Sequence, residues 1–275
     1  MKVQIPGINS SGSTHPDAVE RVSPGRRIVN DAYIARGKNS SPASLYVTLA
    51  ARLDAAEQFI EASFKSTGVR PSLTCLFVKA CALALRKHPW VNYMLSGSGR
   101  KIIKPSSIDI GVSIAGEGTF TPVIVLRSAD QKSILEISTW LRQESEKARA
   151  AETVNMALLD RLGRFLPFTF LRRLFLRYYI NHHRVRRDMV GTFQISMLHG
   201  PEVELGVGIT FLATALLVVG GKSLMPCERN GTLSWSPCVR MALNADHRMV
   251  DGMKAVNFGR EIVRLLENPE ELEDR

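Results

Sequence analysis

Residues 205–221, LGVGITFLATALLVVGG, form a run of seventeen without a single charge, and this run limits what the chain can fold into more than any other stretch. A helix needs about 20 apolar residues to cross a bilayer, so the run sits at the short limit of a span. Four glycines and two threonines inside it weaken a helix further. The pattern therefore predicts two buried strands. Downstream, CVRMALNADH alternates Val239, Met241, Leu243 and Ala245 with Arg240, Ala242 and Asn244, the period of another strand.

The rest of the chain interleaves strands with helices. SLYVTLAARLDA begins with Leu45, Val47 and Leu49 at strand spacing, then LDAAEQFIEASFKS takes a helical period through Leu53, Ala56, Phe59 and Ile60. SLTCLFVKACALALRKHP reads as a helix apolar on most faces and stopped near Pro89. SIDIGVSIAGEGTFTPVIVLRSAD reads as two strands joined by a glycine turn at residues 116–118. SILEISTWLRQESEKARAAE is an amphipathic helix, and a last helix runs from about Asp251 to Asn268, ahead of Pro269. This succession predicts an α/β fold, a two-layer sandwich in which helices pack on a mixed sheet.

A chain of 275 residues with 45% hydrophobic content can bury one sizeable core, and no repeat or low-complexity linker divides it. The expectation is a flexible N-terminal tail, residues 1–25, followed by a single domain, residues 26–275. The tail lacks the apolar stretch of a secretory signal, and the four cysteines follow no metal-ligand spacing, so a cytoplasmic setting and no metal are expected. A net charge of +10 favours anionic partners: a phosphorylated cofactor, an acidic carrier protein, nucleic acid or a lipid surface. No nucleic-acid-binding motif accompanies that charge, and nucleic acid is not expected.

Candidate chemistry concentrates in ADHRMVDG, residues 245–252. His247 lies between a strand and a helix, where rigid elements can hold a side chain at a cleft. Asp251 has the type and position of a helix N-cap, and Gly252 would relieve crowding where the backbone turns. On spacing alone, His247 is either a catalytic base or an ordinary hydrogen-bonded turn residue.

The motif D-H-R-x-x-D-G, here Asp246 to Gly252, resembles that of the catalytic domain of 2-oxoacid dehydrogenase complex acyltransferases, relatives of chloramphenicol acetyltransferase. RRIVNDAYIA resembles the family's opening helix, and FVKACALALRKHPWVN its F-x-K-A-x-A-x-A-L-x-x-x-P-x-V-N segment. IDIGVSIAGEGTFTPVIV, KSILEIS and GTFQISML follow in the family's order, from about Arg26 to Pro269. Collinear motifs are more specific than one short match.

The resemblance implies a chloramphenicol acetyltransferase-like fold and acyl transfer from a thioester, with His247 as general base. An imidazole can take and return a proton near neutral pH. Ser196 of the TIS-like segment would stabilise the oxyanion, a contribution worth ~100- to 1,000-fold in turnover. Asp251 would hold the His247 loop by pairing with Arg26 or Arg27, with Gly252 and Asn244 as further structural support. The resemblance also implies a homotrimer with the site between subunits. No cofactor is expected to bind tightly; acyl-CoA or an acyl-carrier or lipoyl thioester would be substrate.

The chain departs from the family's pattern in two large ways and at single residues. Fewer than 30 residues precede RRIVND, where the family carries lipoyl domains, so a stand-alone acyltransferase served by a carrier protein or a lipoyl domain in trans is expected. The alternatives are a core subunit of a multienzyme complex and a noncatalytic scaffold or membrane-associated homologue. Second, residues 161–187 look like an insertion: they hold eight arginines, His182 and His183, and no acid. After Pro167 they predict a basic amphipathic helix, with Leu171, Leu174, Phe175 and Tyr178 on one face and Arg172, Arg173 and Arg177 away from it. Such a helix could pack on the core with its arginines in solvent, lie on an anionic membrane, receive an acidic carrier helix or line an acyl-CoA channel. His199 and Asn244 stand where the family has glycine and serine or threonine, at the expected border of the substrate pockets.

Overall fold

Period-two apolar patterns become strands and the longer periods become helices along most of the chain. The computed structural model describes residues 24, 25, 28, 43–96, 101–115, 121–165, 168–198, 200, 202–210, 212–229 and 231–273, with backbone alone for 152–165 and 229. Arg26, Arg27, the glycine turn at 116–118, His199 and residues 1–23 of the expected tail lie outside that set. Pro24 and Gly25, the last residues of that tail, are helical, and Ile28 just after them is buried.

Strand β1 (Ser44–Arg52) leads through Leu53 into α1 (Asp54–Thr67), then α2 (Leu73–Lys87). A short ribbon, β2 (Met94–Leu95) with β3 (Ile102–Ile103), precedes the hairpin of β4 (Ile110–Ser113) and β5 (Val123–Leu126). The long helix α3 (Ile134–Phe165) is followed by α4 (Thr169–Asn181) and α5 (His183–Val190). The chain ends with β6 (Phe193–Met197), β7 (Ala215–Arg229), β8 (Thr232–Asp246) and α6 (Gly252–Glu267).

Six strands join in the order β1-β8-β7-β6-β4-β5. β6 pairs in parallel with β4 and β7, and the other pairings are antiparallel, so the sheet is mixed as expected. Leu45, Val47, Leu49 and Ala51 of β1 turn to one face, where they meet Leu217 and Val219 of β7, Met241 and Leu243 of β8, and the helices. α2 is the centre of that layer: every residue from Cys75 to Leu85 is buried. Lys79 is the one charge in that stretch, and its Nζ donates to the carbonyls of Asp130 (3.0 Å) and Lys132 (2.8 Å). α6 buries Ala255, Phe258, Ile262, Leu265 and Leu266 at helical spacing against the same core.

The uncharged run at 205–221 forms one strand, not two. Only its part from Ala215 onward joins the sheet; residues 203–210 cross the far face outside any ladder. The glycines explain this. A side chain at Gly206 would collide with Leu198, and one at Gly208 with Leu216 and Val218, so this backbone lies flat on the sheet where a strand could not. β7 and β8 then continue past the sheet as a two-stranded ribbon that exposes Leu224, Leu233 and Trp235.

Candidate active site

β8 delivers its end to a turn that is fixed from below. The N–H of Asp246 donates to the Thr214 carbonyl (2.9 Å), and that of His247 to the Ala43 carbonyl (2.6 Å). Asp246 is buried and its carboxylate accepts from Arg248 three times: from the backbone N–H (3.1 Å), Nε (2.8 Å) and Nη2 (2.6 Å). Such a fork fixes both residues in angle as well as distance. It also raises the pKa of Arg248, first through the Asp246 hydrogen bonds. The N–H groups of Met249 and Val250 return to the Asp246 carbonyl (2.8 and 3.0 Å), and Val250 is wholly buried. His247 is the exposed tip of this clamped turn.

Asp251 caps α6, accepting from the Lys254 N–H at 2.9 Å, with Lys254 Nζ 3.1 Å from its other oxygen. The Lys254 backbone N–H, then its ammonium, hold the Asp251 carboxyl below the usual carboxylate range. The expected cap is present, and its ionic partner among the described residues is Lys254; the Arg26 and Arg27 expectation lies outside them. The Gly252 expectation fails: a Cβ there would meet nothing within 4 Å, so the backbone is not crowded at that point. Asn244 is buried on the far face, where its Nδ2 donates to the Gly208 carbonyl (2.8 Å) and ties residues 203–210 to β8. Its Oδ1 has no partner among the described residues.

Ser196 lies elsewhere on the sheet. Phe193 and Ile195 of β6 enter the helix-side core, which leaves Gln194 and Ser196 on the far face; Gln194 Nε2 donates to Ser113 Oγ (3.0 Å), and Ser113 is opposite Ser196. Val218 links Ser196 to Ala242, and His247 is five residues beyond Ala242. At ~3.3 Å per residue and ~4.8 Å per strand, the two backbones stand roughly 19 Å apart within one chain. A cleft of about 420 Å³ opens at the ends of β4 and β6, lined by Ser72, Thr74, Ser113, Met197, Leu141 and Arg149 among others.

The sequence reading missed two positioning groups. One is the Asp246–Arg248 fork, whose residues stand in the motif but gave no sign of pairing. The other is Asp109, whose buried carboxylate accepts from Ser107 Oγ (2.7 Å), Arg127 Nη1 (2.9 Å), Arg187 Nε (2.5 Å) and the Ser128 N–H (3.1 Å). Burial pushes this carboxyl up, but those hydrogen bonds outweigh burial and hold it below its usual range. The Asp109 carbonyl also receives the Thr192 N–H (2.7 Å), which anchors the strand that carries Ser196.

The model of the 2-oxoacid dehydrogenase acyltransferase catalytic domain matches residues 16–156 and 188–273. The chain belongs to that family. Its relatives include the mitochondrial dihydrolipoyllysine-residue succinyltransferase component of the 2-oxoglutarate dehydrogenase complex of Saccharomyces cerevisiae, 28% identical over 98% of this chain and 53% of the relative. The acetyltransferase component of the Bacillus subtilis pyruvate dehydrogenase complex is 26% identical over 93% of this chain and 51% of the relative. The chain thus spans about half the length of these curated relatives. Among solved structures, Azotobacter vinelandii dihydrolipoamide acetyltransferase has the same fold, with a TM-score of 0.71 and 21% identity over 98% of both chains. That structure comes from work on a serine, a histidine and an asparagine in its catalytic mechanism. The family match leaves residues 157–187 unmatched, and α4 falls within that gap.

Proposed function

We propose that the protein moves an acyl group from a thioester to a thiol, hydroxyl or amine, at a site made by His247 of one subunit and Ser196 of another in a homotrimer. The strand register carries this reading: it sets the backbone of His247 five residues and two strands away from that of Ser196 in the same chain, roughly 19 Å at ordinary strand spacing, too far for one substrate carbonyl to touch both.

In the proposed reaction, the His247 imidazole removes the acceptor's proton as the acceptor attacks the thioester carbonyl. The new bond turns the carbonyl oxygen into an oxyanion, which accepts a hydrogen bond from Ser196 Oγ. Collapse re-forms the carbonyl and breaks the C–S bond, and the imidazolium returns its proton to the leaving thiolate. The Asp246–Arg248 fork holds the backbone under His247, and the Asp251 cap fixes the start of α6. No tightly bound cofactor takes part in this scheme; the thioester is acyl-CoA, a carrier-bound acyl group or an acylated lipoyl group. All four cysteines are free thiols, which fits the cytoplasmic setting proposed here.

A core-subunit role has one observation in its favour: the relatives are named as components of 2-oxoacid dehydrogenase complexes. Thiol release from a panel of acyl-CoA, acyl-carrier and acyl-lipoyl donors tests both readings. Turnover with any of these thioesters that is lost in His247→Ala supports the mechanism; full activity in His247→Ala rules it out. A strong preference for a separately added lipoyl domain over acyl-CoA favours the core-subunit role.

A further inference from the structure

α4 is turned the opposite way from an ordinary surface helix. Phe170, Leu171, Leu174, Phe175, Tyr178 and Tyr179 are 49–80% exposed, whereas Arg172 is buried. Laid out at roughly 100° per residue, the six apolar side chains cover about half of the helix circumference. Phe175 and Tyr179 stack with ring centroids 5.8 Å apart, which makes the apolar surface continuous along the helix. The inner side rests on Ile180 and the partly buried Leu176, packed with Val190, Leu212 and Ala213. The exposed Arg173 and Arg177 border the apolar arc on the Phe170 side.

The geometry points to an anionic phospholipid surface as the occupant of this face. Charge selects it: the exposed Arg173 and Arg177 border the apolar arc and no acidic residue lies between 161 and 187, so two copies of the face brought together would set arginine against arginine. Shape selects it as well. An arc of half the circumference is broader than the seam along which two helices pack, whereas a helix lying in a headgroup layer sinks a broad apolar face and keeps its cations at the rim. None of the described helices is long and apolar enough to cross a membrane, so α4 lies on the surface and does not span it. The interaction would bring the acyltransferase to a lipid interface, and it is independent of the acyl-transfer chemistry.

The test is co-sedimentation of the full chain with phosphatidylcholine vesicles, with and without a quarter of phosphatidylglycerol. The wild type is expected to pellet with the anionic vesicles and to be released by raised salt. Arg173→Gln with Arg177→Gln should weaken that partitioning about 25-fold, from roughly fivefold per arginine at an anionic surface. Leu171→Ser with Phe175→Ser should weaken it ~100-fold while keeping the wild-type melting temperature and turnover of a soluble thioester. The proposal is overturned if the wild type ignores anionic vesicles, binds neutral ones equally well, or if both double variants bind like the wild type. It is equally overturned if Leu171→Ser with Phe175→Ser dissociates the assembly in sedimentation velocity, since the face would then be a subunit contact, or if an acidic carrier protein binds the face and vesicles do not.

Discussion

The turn at residues 246–251 and helix α4 use arginine in opposite ways. In the turn, a buried aspartate and a partly exposed arginine lock on each other beneath an exposed histidine, so a buried carboxylate fixes the backbone that presents the proposed base. In α4 an arginine is buried while aromatic side chains face outward, although nothing in the period of the sequence distinguishes it from a core-packed helix. The first region lies in the part of the chain that the family model matches and the second in the part it leaves unmatched. On the two proposals made above, a single subunit is unfinished at both places: the turn waits for the Ser196 of another subunit, and the apolar face of α4 waits for a lipid surface.

His247→Ala should have the largest effect, a ~100- to 10,000-fold loss of turnover in the thiol-release assay, with an unchanged melting temperature because the side chain is exposed. Ser196→Ala is expected to lower kcat ~100- to 1,000-fold with little change in KM, as for a donor that acts on the transition state. A loss confined to KM would remove Ser196 from the oxyanion role.

Asp109 holds Arg187 of α5, the helix that follows α4, and anchors the strand of Ser196. Asp109→Asn should destabilise the fold by about 2–4 kcal/mol in urea titration at pH 7, less than for a fully buried pair because Arg127 is 46% exposed. The folded-state pKa of Asp109 is depressed, so its contribution is fully present above the unfolded value, about 3.9, and is lost as pH falls through the folded one. The variant should therefore show a flatter acid limb in its stability–pH curve.

Smaller effects sharpen the contrast. Arg248→Met leaves the buried Asp246 without its fork and should cost about 2 kcal/mol, discounted because Arg248 is 31% exposed on its side chain. Phe175→Ser in α4 should change stability by less than about 0.5 kcal/mol, since its side chain is already in solvent. A loss of several kcal/mol there would mean that the face is packed in the assembled protein.

The sheet and the helices on it were legible because apolar period follows directly from strand and helix geometry, as in β1, α2 and α6. Periodicity did not reveal that Gly206 and Gly208 let a backbone lie flat on Leu216 and Val218, since close approach depends on what lies opposite. It gave the two faces of α4 but not which one meets the core. His247 was marked by its place between strand and helix. Ser196 had no local mark at all, and only the family resemblance singled it out. The Asp246–Arg248 fork stayed hidden because residues two apart face each other only in a tight turn.

Complementation between two inactive variants decides whether His247 and Ser196 act from different subunits. Chains bearing His247→Ala and Ser196→Ala, differently tagged, are co-expressed and the mixed assemblies purified through both tags. Each trimer holding both kinds of chain then has one intact site in three, its histidine from one chain and its serine from the other, so the doubly tagged assemblies recover about a third of wild-type turnover. Mixed assemblies no more active than the Ser196→Ala protein alone would contradict a shared site.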